Sequence, residues 1–338
     1  MSRRQVVVLG GALVSLVFLW LALRGQNWAE IASAFQRADY RWLLPAAFLI
    51  LLDYGFRSWR WRVILHPAAG RRVPLSTLFP VLLLGFAANN VLPARAGEVW
   101  RMWGLSNRTG IRKTLALSTL VVERLFDGLT LLFLLALAGL SQPLDGQARF
   151  IENIFTLLFG IVFVGLLLLV FFEEPTLRLA TRLMWPIPAG LRERLLAVLE
   201  RFVQGLHALR RPAELAGIIG SSLLAWGSQT LSFAAILLAF GLGLSPAELF
   251  ATSILMLALI NLGIMIPAGP GNVGTFEAAG LLALRVSNVA VRPEEALAIV
   301  LVAHMLQWIL VTGLGVLIAA REGITLATLN ATPELETE

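Results

Sequence analysis

The chain has 338 residues, of which 58% are hydrophobic and only 14% charged, where a soluble domain carries about 25% charged. That balance excludes an ordinary water-soluble fold and indicates an integral membrane protein. The net charge of +6 comes almost wholly from Arg, with Lys113 the one Lys, and reads as cytoplasmic loops facing anionic lipid rather than as nucleic-acid binding; with no Cys, disulfides and thiol chemistry are excluded.

Ser2-Arg3-Arg4 precedes an apolar run from Val6 to Leu23. The run resembles a signal peptide, but Arg24-Gly25-Gln26-Asn27 offers no small-residue cleavage site. It reads as a retained first helix with its Arg pair inside. Residues 24–41 are nearly balanced in charge and suit the outer side. Trp42 to Phe56 is the second span. Segment 57–72 carries five Arg and no acid, so it is expected in the cytoplasm. Asp53 and Arg57 sit one helical turn apart, acid first, a favourable pairing. Arg60 and Arg62 suit a snorkelling interfacial belt as well as they suit a substrate contact.

Leu75 to Val91 is apolar, and the charged loop after it, with Arg101, Arg108, Arg112 and Lys113, is again basic. Both flanks belong inside, so residues 75–113 are expected to form a re-entrant hairpin turning at Pro93–Gly97. Leu115 to Leu140 follows and contains Glu123, Arg124 and Asp127. Each ion costs at least ~2.5 kcal/mol at the centre of a span, so the cluster must face protein or water. It is either a structural lock or a substrate site.

Ile154 to Phe172 returns inward. Residues 173–214 hold seven Arg and five Glu. Within them Leu191, Leu195, Leu196, Leu199, Phe202, Val203 and Leu206 recur at helical spacing, which indicates an amphipathic cytoplasmic linker. Leu215 to Leu238 spans outward. Leu249 to Ile266 then enters again, and Pro267–Thr275 breaks it, giving a second re-entrant segment over 249–290. Ala296 to Ala319 ends inside at Arg321, and 325–338 is an acidic tail expected to be disordered.

The two breaks repeat one phrase. Leu92-Pro93-Ala94-Arg95-Ala96-Gly97-Glu98 and Ile266-Pro267-Ala268-Gly269-Pro270-Gly271-Asn272 both fit [Leu/Ile]-Pro-Ala-x-x-Gly-[Glu/Asn]. Pro and Gly this close together stop a helix. Non-helical backbone at membrane depth needs protein or a wet cavity around it. Paired breaks in matching places of two halves point to a transport site, although two interfacial turns would also fit. The Arg counts put the first hairpin on the inner face and the second on the outer. The expected fold is therefore an all-α polytopic bundle, a single membrane domain over 1–338, with residues 1–172 and 215–324 as inverted repeats.

Several chemistries are excluded. The one Lys lies in Arg112-Lys113-Thr114, so no Gly-Lys-[Ser/Thr] phosphate loop exists. There is no Asp-x-Asp, His-Glu-x-x-His or Gly-x-Ser-x-Gly. His66, His207 and His304 are scattered and form no local metal motif, and no cofactor is expected.

Three motifs in order carry a resemblance: Asn90-x-x-Pro93-Ala-Arg95-Ala-Gly97-Glu98-x-x-Arg101, Glu123-Arg124-x-x-Asp127-Gly128, and Pro267-Ala-Gly269-Pro270-Gly271-x-x-Gly274-x-x-Glu277. Together the chain resembles the flippase-like membrane domain of lysylphosphatidylglycerol synthases over nearly its whole length. The resemblance implies a multi-pass protein of a bacterial cytoplasmic (inner) membrane, both termini inside, that moves a lipid head group between leaflets. The chain stops at Glu338, so the synthase activity of two-part members is not carried over. The cargo stays open between aminoacyl phospholipids, polyprenyl-phosphate sugars and other glycolipids.

The residues supply a mechanism beside that. Arg suits a lipid phosphate because its planar fork bonds two oxygens and stays charged. Arg95 and Arg101, with Arg124 or Arg57, are expected to cradle it. Glu98, Glu123, Asp127 and Glu277 would neutralise those Arg or bind a cationic head group. Asn89, Asn90, Asn261 and Asn272 would cap the broken helix ends, and Glu98 and Glu277 are candidate proton carriers. Two other readings stay open. One is an intramembrane transferase with Glu98 or Asp127 as general base. The other is a membrane partner of a glycosyltransferase or synthase. A homodimer is also open.

Overall fold

The computed structural model describes residues 3–92, 96–141, 172–193, 195–196 and 211–324, with isolated positions between 146 and 168. Among the described residues the regular structure is entirely helical: α1 (Arg3–Leu23), α2 (Trp28–Arg37), α3 (Leu43–Ala69), α4 (Leu75–Val91), α5 (Ala96–Thr109), α6 (Lys113–Ser141), α7 (Glu173–Leu183), α8 (Pro212–Ala239), α9 (Pro246–Gly263), α10 (Thr275–Val286) and α11 (Pro293–Arg321), with 3-10 turns at Tyr40–Trp42 and Pro270–Asn272. Most of the expected span Ile154–Phe172, most of the linker's apolar stripe and the tail 325–338 lie outside the described residues, as do Pro93, Ala94 and Arg95.

Helices α8, α9 and α11 are long and apolar enough to cross a bilayer, and α1 with α2, bent by 82°, makes a fourth candidate. Large apolar side chains face outward from them, among them Leu13, Trp20, Leu231, Ile309 and Val316. Charged side chains sit inside instead. That inversion is what a lipid solvent imposes on a bundle.

Local sequence sets the ends. Asn27 accepts from the Ala29 N–H to cap α2. Ser245 and Glu248 form a capping box, and Pro246 opens α9. Gly70 closes α3 in the left-handed conformation. Helix α3 runs 13 residues past Phe56, to Ala69. Arg57 and Arg60 are therefore buried inside the bundle and not in a cytoplasmic loop, because acids on α6 reach them there.

Two sets of four helices repeat one pattern of lengths. α3–α6 measure 27, 17, 14 and 29 residues. α8–α11 measure 28, 18, 12 and 29. Each repeat is a long helix, a broken pair packed side by side, and a second long helix. Contacts cross between repeats in matching fashion: α3 packs along α8, α4 on α11, and α9 on α6. α3 and α8 run antiparallel, with Arg57 against Trp226, Arg60 against Ser222 and Val63 against Gly217.

One end of the bundle is basic. There Arg71 donates to the Thr109 carbonyl, Arg108 pairs with Glu322, and His66 lies 3.5 Å from Glu214. The other end is balanced, with Glu30 3.5 Å from Arg292 and the Asp39 N–H on the Ala239 carbonyl at 2.7 Å. Hydrogen bonds from Arg41 hold the Asp39 carboxyl below its ordinary range. The outer ends of the α4–α5 hairpin lie at the basic end. Those of the α9–α10 hairpin follow α8 and precede α11 at the balanced end. The two breaks meet between them: a Cβ on Gly271 would lie 3.4 Å from the Asn90 carbonyl.

Candidate functional site

The first break is drawn tight by small residues. A Cβ on Gly97 would overlap the Gly85 carbonyl, so α4 and α5 touch backbone to backbone there. Asn89 Oδ1 accepts from the Gly97 N–H at 2.8 Å and caps α5. Asn90 Nδ2 donates 3.0 Å to Thr312 Oγ1 on α11. Asn261 instead bonds its own helix, donating 2.8 Å to the Leu257 carbonyl. Asn272 adopts φ 56° and its carbonyl accepts from Thr275 Oγ1.

Beside this break lies a network of six buried ions. Arg101 of α5 forks onto Glu123 of α6, Nη1 to Oε1 at 2.9 Å and Nη2 to Oε2 at 2.8 Å. Arg60 of α3 lies 2.7 Å from Asp127 Oδ1 and donates 3.1 Å to Ser222 Oγ. Arg57 Nε donates 2.7 Å to Asp53, and Trp226 Nε1 donates 3.0 Å to Asp127. Arg57 also lies over the Trp226 ring at 4.2 Å, and Arg101 over the Trp61 ring at 4.5 Å. All six charges are 6% exposed or less. Three cations balance three anions, so the network is neutral, which offsets the several kcal/mol each ion loses on leaving water.

One pair stands at the rim. Arg124, with its side chain 44% exposed, lies 3.2 Å from Glu98, which is 36% exposed, and 3.4 Å from Asp127. It joins the surface of the first break to the buried network. Three buried donors in this region, Arg60 Nε, Arg101 Nε and Trp100 Nε1, meet no acceptor among the described residues.

The second break carries a smaller site. Glu277 Oε2 accepts from the Gly274 N–H at 2.6 Å. Its Oε1 lies 2.5 Å from His304 Nδ1 on α11. The other ring nitrogen, Nε2, lies 2.9 Å from the Gly271 carbonyl. Phe276 stacks flat on the imidazole at 4.2 Å. Ser15 of α1 accepts from the Gly269 N–H at 2.8 Å, so the first helix braces this loop. Glu98 and Glu277 are each the third residue of the helix after a break. Their partners Arg124 and His304 are each the twelfth residue of a 29-residue helix.

Of the sequence-predicted residues, Glu98, Arg101, Glu123, Arg124, Asp127 and Arg57 come together at the first break. Asn90, Asn272 and Glu277 gather at the meeting of the two breaks with Gly269, Pro270 and Gly271. Arg95 lies outside the described residues. The sequence reading missed Ser222, Trp226 and His304, and left Arg60 open between an interfacial belt and a substrate contact. An Arg-x-x-Arg at helical spacing facing Glu-x-x-x-Asp was the available signal for Arg60. Among the described residues no group of three or more His, Asp or Glu is placed to hold a metal ion.

A family described as "Lysylphosphatidylglycerol synthase TM region" matches residues 7–315. Among curated proteins, "Glycosyltransferase AglD" of Haloferax volcanii is 25% identical over 96% of this chain and 56% of its own length. A "UPF0104 membrane protein" of Methanothermobacter thermautotrophicus is 26% identical over 85% of this chain and 87% of its own. A second UPF0104 membrane protein, of Methanocaldococcus jannaschii, is 28% identical over 36% of each chain. The chain thus spans just over half of the first relative and about a third of the last. No solved structure matches the chain.

Proposed function

The chain belongs to the lysylphosphatidylglycerol synthase transmembrane-region family, and we propose that it is a lipid translocase that carries a phosphate-bearing head group between leaflets along its two broken hairpins. The observation that carries this reading is the half-exposed Glu98–Arg124 pair, standing at a helix break inside an apolar multi-pass bundle and tied to buried ions behind it. A phosphate resists entering hydrocarbon. Arg124 supplies a charge-assisted fork for it, and Glu98 holds that Arg when no head group is present. The neutral six-ion network keeps α3, α5, α6 and α8 in register so that the rim pair stays in place.

In this reading the repeats are inverted in the membrane. The basic end, with Arg71, Arg72, Arg108, Arg112 and Arg321, faces the cytoplasm, which puts both termini inside. The α4–α5 hairpin dips in from the cytoplasm and the α9–α10 hairpin from outside, and their tips meet at mid-depth. The membrane is the cytoplasmic (inner) membrane. An aminoacyl phospholipid or a polyprenyl-phosphate glycolipid fits the site, and a glycosyltransferase or synthase that makes such a lipid is the partner class it suits.

The test uses purified protein in vesicles loaded with fluorescent phospholipid or polyprenyl-phosphate glycolipid. Wild type accelerates leaflet exchange, and Arg124→Ala does so at least about tenfold more slowly. Equal rates for protein-free vesicles, wild type and variant overturn the reading. The relative named as a glycosyltransferase favours a second reading, an intramembrane transferase. Mass spectrometry of the co-purified lipid separates them: an unmodified lipid fits a carrier, and a product made on incubation fits a transferase.

A further inference from the structure

The equivalent pairs of the two repeats differ in one respect. One cation is a guanidinium, Arg124, and the other partner an imidazole, His304, a ring that can carry one N–H or two. The contacts of His304 make that difference consequential. Both of its ring nitrogens face oxygen: Nδ1 faces Glu277 Oε1 at 2.5 Å, and Nε2 faces the Gly271 carbonyl at 2.9 Å. A neutral imidazole has one N–H and cannot donate to both. A backbone carbonyl only accepts, and so does a carboxylate. The arrangement closes only if the pair holds one more proton than neutral His plus carboxylate, either on both ring nitrogens or on Glu277. Without that proton, two acceptors face each other at hydrogen-bond distance and one contact must open.

The contact that opens has mechanical weight. Gly271 lies in the second break with φ 70°. Its Cβ position faces Trp308 of α11 and the Asn90 carbonyl of the first break. His304 therefore fastens the tip of the second hairpin both to α11 and against the tip of the first. Among the described residues no other ion pair or hydrogen bond reaches the ring. From α3, Tyr54 reaches α11 one turn on, at Gln307. From α4, Asn90 is bonded to Thr312, about two turns further along α11. From α2, Glu30 pairs with Arg292 at the start of α11, where Glu295 also lies.

We infer that Glu277 and His304 form a proton-binding site, and that one proton latches the α9–α10 hairpin to α11 while its release frees the hairpin tip. The equivalent Glu98–Arg124 pair has no imidazole held between two acceptors, so this arrangement belongs to the second repeat. This rests on the lipid-carrier reading for its use, as the coupling of a proton to head-group movement, but not for its detection.

The chain has no Cys, so single pairs can be placed without background. Val273 and Ile309 are 39% and 53% exposed and flank the latch. Spin labels on Val273→Cys and Ile309→Cys in lipid nanodiscs report the distance from tip to α11 from acid to alkaline pH. The wild-type background shows a short distance in acid and a longer population that grows about tenfold per pH unit, the slope for loss of one proton. His304→Arg stays short throughout. Glu277→Gln also stays short throughout: a Gln amide can donate to Nδ1 while the ring N–H keeps Gly271, so no extra proton is needed. An ordinary structural ion pair would instead loosen in Glu277→Gln. A wild-type distance independent of pH, or a loosened Glu277→Gln, overturns the proposal. Vesicles then separate it from the carrier reading. A pH-gated distance without lipid exchange keeps the latch and removes the carrier. Lipid exchange with a pH-independent distance does the reverse.

Discussion

Arg57 and Trp226 face each other at the same place in their two helices. Each is the fifteenth residue, of α3 and of α8, and the guanidinium lies 4.2 Å from the indole ring. Because α3 and α8 run antiparallel, matching positions of the two helices meet at the midpoint of their contact. The side chains on either side of that point differ. Asp53, Arg57 and Arg60 of the first stand where Ser222, Trp226 and Gln229 stand in the second. The buried charge is therefore gathered on α3's side of that contact, beside the rim pair.

The proposed inverted hairpins lead to a labelling result. Arg72 and Ala290 are exposed at opposite ends of the bundle. Arg72→Cys should react with a membrane-impermeant maleimide only from the cytoplasmic side of inverted and right-side-out vesicles, and Ala290→Cys only from the other. Labelling of both from one side would rule out inverted hairpins.

The Arg101–Glu123 fork is buried on both sides, so removing one partner strands the other. Arg101→Ala or Glu123→Ala should each cost about 3–5 kcal/mol, while a double change to apolar residues of similar volume recovers most of it. Thermal unfolding in detergent measures this. A double variant as unstable as either single one would mean that the fork itself holds the bundle.

Arg124 is half-exposed, and its pairing adds at most about 1 kcal/mol to stability. Its value should appear in transport instead. Losing a charge-assisted fork to phosphate costs ~1.5–3 kcal/mol, or roughly a 10–100-fold slower lipid exchange in Arg124→Ala, with Arg124→Lys between. Unfolding temperatures within error of wild type, together with that loss of rate, would separate contact from scaffold. Equal exchange rates for all three would take Arg124 out of the path.

Two glycines of α5 give a matched comparison. A methyl group on Gly97 would overlap the Gly85 carbonyl and force the hairpin apart, whereas one on Gly104 meets Val81 at an ordinary 3.5 Å. Gly97→Ala should lose at least ~3 kcal/mol, beyond common overpacking, while Gly104→Ala folds as wild type. Circular dichroism melting of the two variants checks this, and equal melting would mean that α4 and α5 pack less closely.

Much of the architecture could be read from the chain. Apolar runs marked the helices, and the repeated Pro-Ala-x-x-Gly phrase marked both breaks. The cluster Glu123, Arg124 and Asp127 was legible because ions within an apolar helix need company. What they paired with was not. Arg60 meets Asp127 across 67 residues and Asn90 meets Thr312 across 222, and helical spacing carries no information at that range. His304 was invisible for a related reason. A lone imidazole in an apolar span has no local signature, and its partner arrives from another helix 27 residues earlier. The depth of Arg57 and Arg60 was misjudged because Arg near Trp also describes a membrane interface. Only the acids on α6 decide between the two.

The crossed packing of the repeats bears on how the chain is made. The polar tip at Asn90 finds Thr312 only after more than two hundred further residues have left the ribosome. Until then the first hairpin waits at the translocon or among lipids with its inner face uncovered. Neither half should mature alone, and a ribosome stalled before α11 should leave a nascent membrane protein that quality-control proteases remove.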